Sequence, residues 1–408
     1  MPNPWSEQAT KRVTGWQERD WGMLAISMGL GWKPEQVFAA MSPSPLPTDL
    51  ISSDRMRRDL GDDIVADPNW ASLAVTMRDY QDKYLVNVPT RYEILPYYSA
   101  LAYELDGAVD AIAAANQELP YHPLVASLPS GDVNARIRKI PGSNEAVILF
   151  QHGLIEFLDQ VAIAMGAALP IELTDLPLRV AIPGGSEPGD HAHRQLAVEQ
   201  LADSLTSYVV EGNPYRARRR PLQERALASG VTLAAGMRRF LLSHELMHLL
   251  LQHFSMRSAD MSREQSWQRE FDADMVGASL SAPLSAEACV FKMWACDTAL
   301  WAFEILEQTL AYLESGTVTG LPPTHSHPTP RIRRRRLLLE MTRQLQESGE
   351  TGISGQLGEL TAYGWELGAR LWEAVLPYWE DLREKGVRPG PLWKKRLEQI
   401  AQEGQNNE

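Results

Sequence analysis

The chain has 408 residues, of which 44% are apolar and 22% charged, and carries a formal net charge of −13. That balance describes a globular protein able to bury a core in two or three units, and the acidic surplus argues against a general nucleic-acid binder. The most apolar run, 147–169, contains His152, Glu156 and Asp159, and no stretch offers the roughly 18 uncharged apolar residues of a membrane span.

The start, Met1-Pro2-Asn3-Pro4-Trp5-Ser6-Glu7, lacks a charged-then-apolar secretory leader. The expectation is a cytoplasmic protein without membrane insertion. In chain order, residues 6–41 read as helices broken at Gly31 and Pro34, with two more helices over 71–84 and 92–117. Pro120-Tyr121-His122-Pro123 reads as a linker. Residues 132–150 carry the strongest strand signals, with Pro141-Gly142-Ser143-Asn144 as a hairpin turn. A helix over 152–167, a strand over 171–182 and a Gly/Pro-rich loop over 183–189 follow. Helices are then expected at 191–211, 222–253, 264–280, 285–315, 331–347 and 356–385, and the last residues, 403–408, should fray. The fold class is α+β, predominantly α-helical.

The chemistry is concentrated in His244-Glu245-Leu246-Met247-His248, an HExxH motif set in an apolar helical run. Residues four apart on a helix share a face, with Cβ atoms roughly 5–6 Å apart. Both imidazoles can therefore meet one Zn2+ ion, and Glu245 can act on its water as general base. A catalytic zinc needs a third ligand. The metzincin pattern would place a histidine at position 254, which is Phe, so that class fails. His253 lies about 140° round the helix from His248 and should point elsewhere, as a polar residue closing the helix. Glu270 and Asp274 share one face of the next helix. Glu270 suits the third ligand, and Asp274 suits the acceptor that fixes the tautomer of a ligand histidine. Asp272, on another face, reads as solvated.

HExxH followed by Arg269-Glu270-Phe271-Asp272-Ala273-Asp274 resembles the gluzincin family of HtpX heat-shock proteases and CAAX prenyl endopeptidases. Val133-Asn134-Ala135, the run 146–150 with Gly153-Leu154-Ile155, and Ser326-His327-Pro328-Thr329-Pro330-Arg331 are similar to flanking segments of that family. The resemblance covers roughly 130–340. It departs in the long insert before the zinc helix and in Arg136-Ile137, which points to a distant relative; a soluble protease of the phage-exclusion type is the alternative. The resemblance implies a zincin-like metallopeptidase unit over 126–345 with a small sheet, between helical regions 1–125 and 346–408. It implies one zinc per chain and a protein or peptide substrate. It makes His327 the oxyanion donor, with Arg331 nearby and His325 as competitor. It also implies an edge strand at Val147, Ile148 and Leu149 that binds substrate by strand addition, an ordinary core strand being the other reading of that apolar run.

The remaining features have plain readings. Cys289 and Cys296 would sit about 10 Å apart along a helix, too far for a disulfide, and read as small packing residues. The basic clusters 216–220 and 331–336 read as solvated faces or helix-end charges, although an anionic partner at the first stays open. Trp365, Trp372 and Trp379, like Trp294 and Trp301, recur every seven residues and read as core packing between C-terminal helices, with a partner helix as the alternative. Three functions fit this sequence. The first is a zinc endopeptidase. The others are a toxin or phage-defence effector protease triggered by a partner or ligand through the terminal helices, and a non-catalytic zinc-containing regulatory protein.

Overall fold

A computed structural model describes residues 5–27, 31–41, 88–131, 133–168, 190–212, 217, 224–253, 261–281, 286–317, 320–324, 327–391, 393–394 and 397–398. The helix expected at 71–84, the strand at 171–182, the loop at 183–189, cluster 216–220 apart from Ala217, His325 and the chain end lie outside these residues.

Among the described residues, helices dominate around one small sheet. Two helices, α1 (Glu7–Ser27) and α2 (Pro34–Met41), are followed by α3 (Leu95–Ala114). Three strands come next: β1 (His122–Leu128), β2 (Ala135–Lys139) and β3 (Glu145–Gln151). The remainder is helical: α4 (His152–Ala168), α5 (Asp190–Glu211), α6 (Glu224–Leu250), α7 (Arg263–Ser281), α8 (Ala286–Ser315), α9 (Pro330–Glu347) and α10 (Thr351–Glu384). Among the described residues, no helix is long and apolar enough to cross a membrane.

The strand order is β1-β3-β2, with β1 parallel and β2 antiparallel to β3. This corrects the sequence reading twice. Residues 122–128, entered through the expected linker, form a strand. Val147, Ile148 and Leu149 lie in the central strand, buried and paired on both sides, so they offer no free edge to a substrate. The physical reason is legible afterwards: an unbroken apolar run suits a strand covered on both faces. On one face, Ala9 and Val13 of α1 close over Leu124, Ala126, Val147 and Leu149. On the other, Val125, Ile148 and Phe150 join the main core, which extends from Leu101 to Trp393.

Helix α6 runs through that core against α3, α4, α7, α8 and β2. It approaches α7 closely at the motif: a Cβ on Gly277 would stand 2.9 Å from the backbone nitrogen of His244. Only a glycine lets the two helix backbones approach so closely at the first motif histidine. Of the C-terminal tryptophans expected in the core, three are there, Trp372 is partly buried and Trp365 is exposed. Trp294, Trp301 and Trp379 are buried, Trp372 and Trp379 have ring centroids 4.7 Å apart, and Gly364 and Gly368 of α10 make room for the indoles of Trp294 and Trp301. Cys296 is a buried free thiol.

Candidate metal centre

His244, Glu245 and His248 lie near the C-terminal end of α6, and Glu270 and Asp274 lie on the facing side of α7. Packing α7 at Gly277 sets the spacing between these helices, and their side chains converge. His244 Nε2 and His248 Nε2 are 3.2 Å apart. Glu270 places Oε2 3.7 Å from His244 Nε2 and Oε1 3.6 Å from His248 Nε2. One ligand atom from each of these three residues falls within 4.8 Å of the others, the only such grouping of potential metal ligands among the described residues. Two imidazole nitrogens and one carboxylate oxygen form a donor set that suits zinc with a position left for chemistry. The sequence-predicted ligands are therefore together, and Asp272 is not: it accepts a hydrogen bond from Gln268 on the outer side of α7.

Asp274 performs the task expected of it. Its Oδ1 lies 3.0 Å from His244 Nδ1, the ring nitrogen turned away from the ligand cluster, which fixes the imidazole's plane and keeps its proton on Nδ1. What the sequence reading missed is the residue beneath it. Arg333, in the second turn of α9, grips both oxygens of Asp274 from Nη2 at 2.6 Å and Nε at 2.8 Å. Its Nη1 stands 3.5 Å from Glu270. Burial opposes charge on Asp274, but the guanidinium and its hydrogen bonds outweigh it and hold that carboxyl well below the usual range. Burial acts against Glu270 in the same way and is overcome by Arg333, His327 and the two motif histidines. His244, though buried, is raised by its bond to Asp274, whereas burial pushes His248 down to about 3.

Cluster 331–336 is thus a solvated face only in part, since Arg331, Arg335 and Arg336 are exposed while Arg333 and Arg334 are drawn inward. Arg334, one residue beyond Arg333, is buried against Asp297 and Glu304 of α8, while Arg331 reaches Glu304 at 2.6 Å from the surface. The turn before α9 carries His327. Thr324 N–H donates to His327 O at 3.1 Å, and Trp267 Nε1 of α7 donates to Thr324 O at 3.1 Å. Thr329 then caps α9 from its side chain, and Pro330 takes the first helical position, where no amide is needed. This anchoring leaves the His327 ring 60% exposed with Nε2 3.7 Å from Glu270 Oε1, at the rim of the donor set.

Glu245 faces the sheet. The Ile137 N–H of β2 donates to its carboxylate, and burial pushes its pKa up to about 7. The strand register explains why the ladder leaves that amide to Glu245. Ile140 N–H donates to Glu145 O, and Gln151 N–H donates to Asn134 O, so residues 134, 136, 138 and 140 turn their backbone groups in toward β3. The alternation of an antiparallel ladder turns those of Ala135, Ile137 and Lys139 outward. Among the described residues, β2 pairs only with β3, so the edge sought at β3 lies on β2, beside the motif glutamate.

His253 also departs from expectation. Gln252 adopts φ 53°, which ends α6 and turns the chain back, so that His253 Nδ1 comes within 2.7 Å of His248 Nδ1. It is no ligand, but it does not point elsewhere. A search against family models, curated proteins and solved structures finds no match to this chain.

Proposed function

We propose that this protein is a zinc-dependent endopeptidase of the gluzincin type, with a zincin-like catalytic unit distantly related to the HtpX and CAAX prenyl endopeptidase proteases. The observation that carries this reading is the convergence of His244, His248 and Glu270 with Glu245 between them and an open strand edge. Zinc held by those three residues supplies Lewis acidity toward water and toward a scissile carbonyl.

The chain's own groups supply the rest. Glu245 accepts the proton of the attacking water and delivers it to the departing amine nitrogen. A carboxyl that titrates near 7 serves both halves of that transfer. Its bond from Ile137 N–H keeps the carboxylate aimed along β2. An extended peptide lying along the outward side of β2 at Ala135 runs past Glu245, which suits main-chain recognition of protein segments. His327, at the rim, donates to the oxyanion that develops on the carbonyl. Asp274 and Arg333 hold His244 in the orientation and tautomer its role requires.

The test is Glu245→Gln, which leaves the donor set intact. The variant should retain the wild-type zinc content and lose hydrolysis of an unfolded protein such as casein by about 10²–10⁴-fold. Equal zinc with normal cleavage would rule out this mechanism.

A further inference from the structure

His253 is the residue near the centre that the proposed chemistry leaves without work, and its surroundings give it a definite one. Continued as a helix, α6 would carry it away from His248. Instead α6 closes with Leu251 N–H on Met247 O at 2.9 Å and Gln252 N–H on Leu249 O at 3.1 Å. Gln252 then enters the left-handed region at φ 53°, a conformation uncommon for a residue with a side chain. The reversal sets the two imidazoles at 5.0 Å between centroids and 59° between planes, with the two Nδ1 atoms 2.7 Å apart. Arg269 fastens the turn by donating from Nη1 to His253 O at 2.7 Å. Arg269 immediately precedes Glu270, so one turn of α7 supplies a carboxylate to the donor set and clamps the loop behind His248.

The hydrogen-bond chemistry of the pair has one consistent assignment. His248 turns Nε2 toward His244 and Glu270, so a metal takes that nitrogen and the ring proton must sit on Nδ1. The atom facing that proton is His253 Nδ1, which must then be the acceptor, with its own proton on Nε2. We infer that His253 is a positioning residue: a neutral imidazole acceptor that fixes the tautomer and plane of His248, as Asp274 does for His244. The two motif histidines thus have unlike supports. One leans on a carboxylate paired with Arg333, the other on an uncharged ring, so the donor set is oriented on both sides by unlike groups.

This role rests on the reading that the site holds zinc, and the experiment separates the two. Wild-type protein, His253→Phe and His253→Asn are compared in zinc competition against a chromophoric chelator, with thermal denaturation of each metal-free chain. Phe keeps the ring and removes the acceptor, whereas the Asn side-chain oxygen restores an acceptor near the Nδ1 position. The Phe variant should bind zinc about 10–100-fold more weakly, the Asn variant should recover most of that loss, and the metal-free melting temperatures of the two should agree. Long-range proton–nitrogen NMR of the zinc-loaded wild type should show His248 protonated at Nδ1 and His253 at Nε2. Unchanged zinc affinity in His253→Phe, or an Asn variant as weak as the Phe variant, would overturn the role alone. A wild-type chain that takes up no zinc would overturn the metal reading and this role with it.

Discussion

Removing the Arg333 guanidinium tests whether the electrostatic support of the centre is built as described. Arg333→Met keeps the aliphatic length and takes away the charge. Asp274 is 1% exposed and receives two charge-assisted hydrogen bonds from Arg333, at 2.6 and 2.8 Å, against one contact at 3.0 Å with His244. Without Arg333, two of these three contacts that sustain its charge are gone, and a buried carboxylate remains with His244 as its partner. Breaking such a pair from one side costs on the order of 3–5 kcal/mol, most of it desolvation of the partner left behind. Urea denaturation of the metal-free protein at neutral pH should therefore show Arg333→Met less stable by about that amount. Asp274→Asn in the same background should recover part of the loss, because the stranded charge is then absent, and the double-mutant cycle should give a coupling of at least about 2 kcal/mol. Zinc affinity should fall in every variant that disturbs Asp274. An Arg333→Met protein within about 0.5 kcal/mol of wild type, as an ordinary surface substitution would be, refutes the argument.

Three further outcomes follow from the geometry. His327→Ala should lower kcat by about 10²–10³-fold with zinc retained and KM little changed, the pattern of a lost oxyanion donor; unaltered kcat in steady-state assays would exclude that role. Ile137→Pro removes the outward amide that donates to Glu245 and Arg138→Pro an inward ladder amide, so the first should depress kcat/KM with the smaller change in Tm and the second should unfold more readily; equal losses of Tm would mean the Ile137 amide belongs to the ladder. Glu93, buried with its pKa pushed up to about 7 by desolvation despite bonds from Ser127 and Gln17, binds a proton in the folded chain that the unfolded chain releases near 4.5. Its contribution is complete below pH 4.5 and disappears as pH rises through 7, so the stability of wild type relative to Glu93→Gln should fall by about 3 kcal/mol across that window. A pH-independent difference in denaturation midpoints would contradict it.

How much of this could be read beforehand depended on whether the information was local. The candidate donor residues were legible because HExxH and the Glu270–Asp274 pair are expressed in helical periodicity, which survives into the fold. Strand β1 was hidden by Pro123, which reads as a breaker; in the structure β1 is an edge strand, where a proline is tolerated. Whether β3 was central or peripheral depended on β1 pairing, which no local pattern announces. Arg333 stands among four consecutive arginines, 333–336, and only the rotation of α9 chooses it for Asp274. The placement of His253 hinges on a single backbone angle at Gln252, a residue with nothing in its identity to signal a left-handed turn.

Helix α9 has one more implication, which concerns leverage. Its neighbours Arg333 and Arg334 are fastened to different bodies, the first to Asp274 under His244 and the second to Asp297, a carboxylate that also accepts the indole N–H of Trp365 on α10. A roll of α9 by ~10° would swing a group lying ~6 Å from its axis through about 1 Å, a displacement of the size that costs ~10²-fold in a positioned active site. The C-terminal helices are thus mechanically in series with the donor set. Pulling on α10 would turn the axle that holds His244 in place, and cutting it away would slacken that histidine rather than trim an appendage.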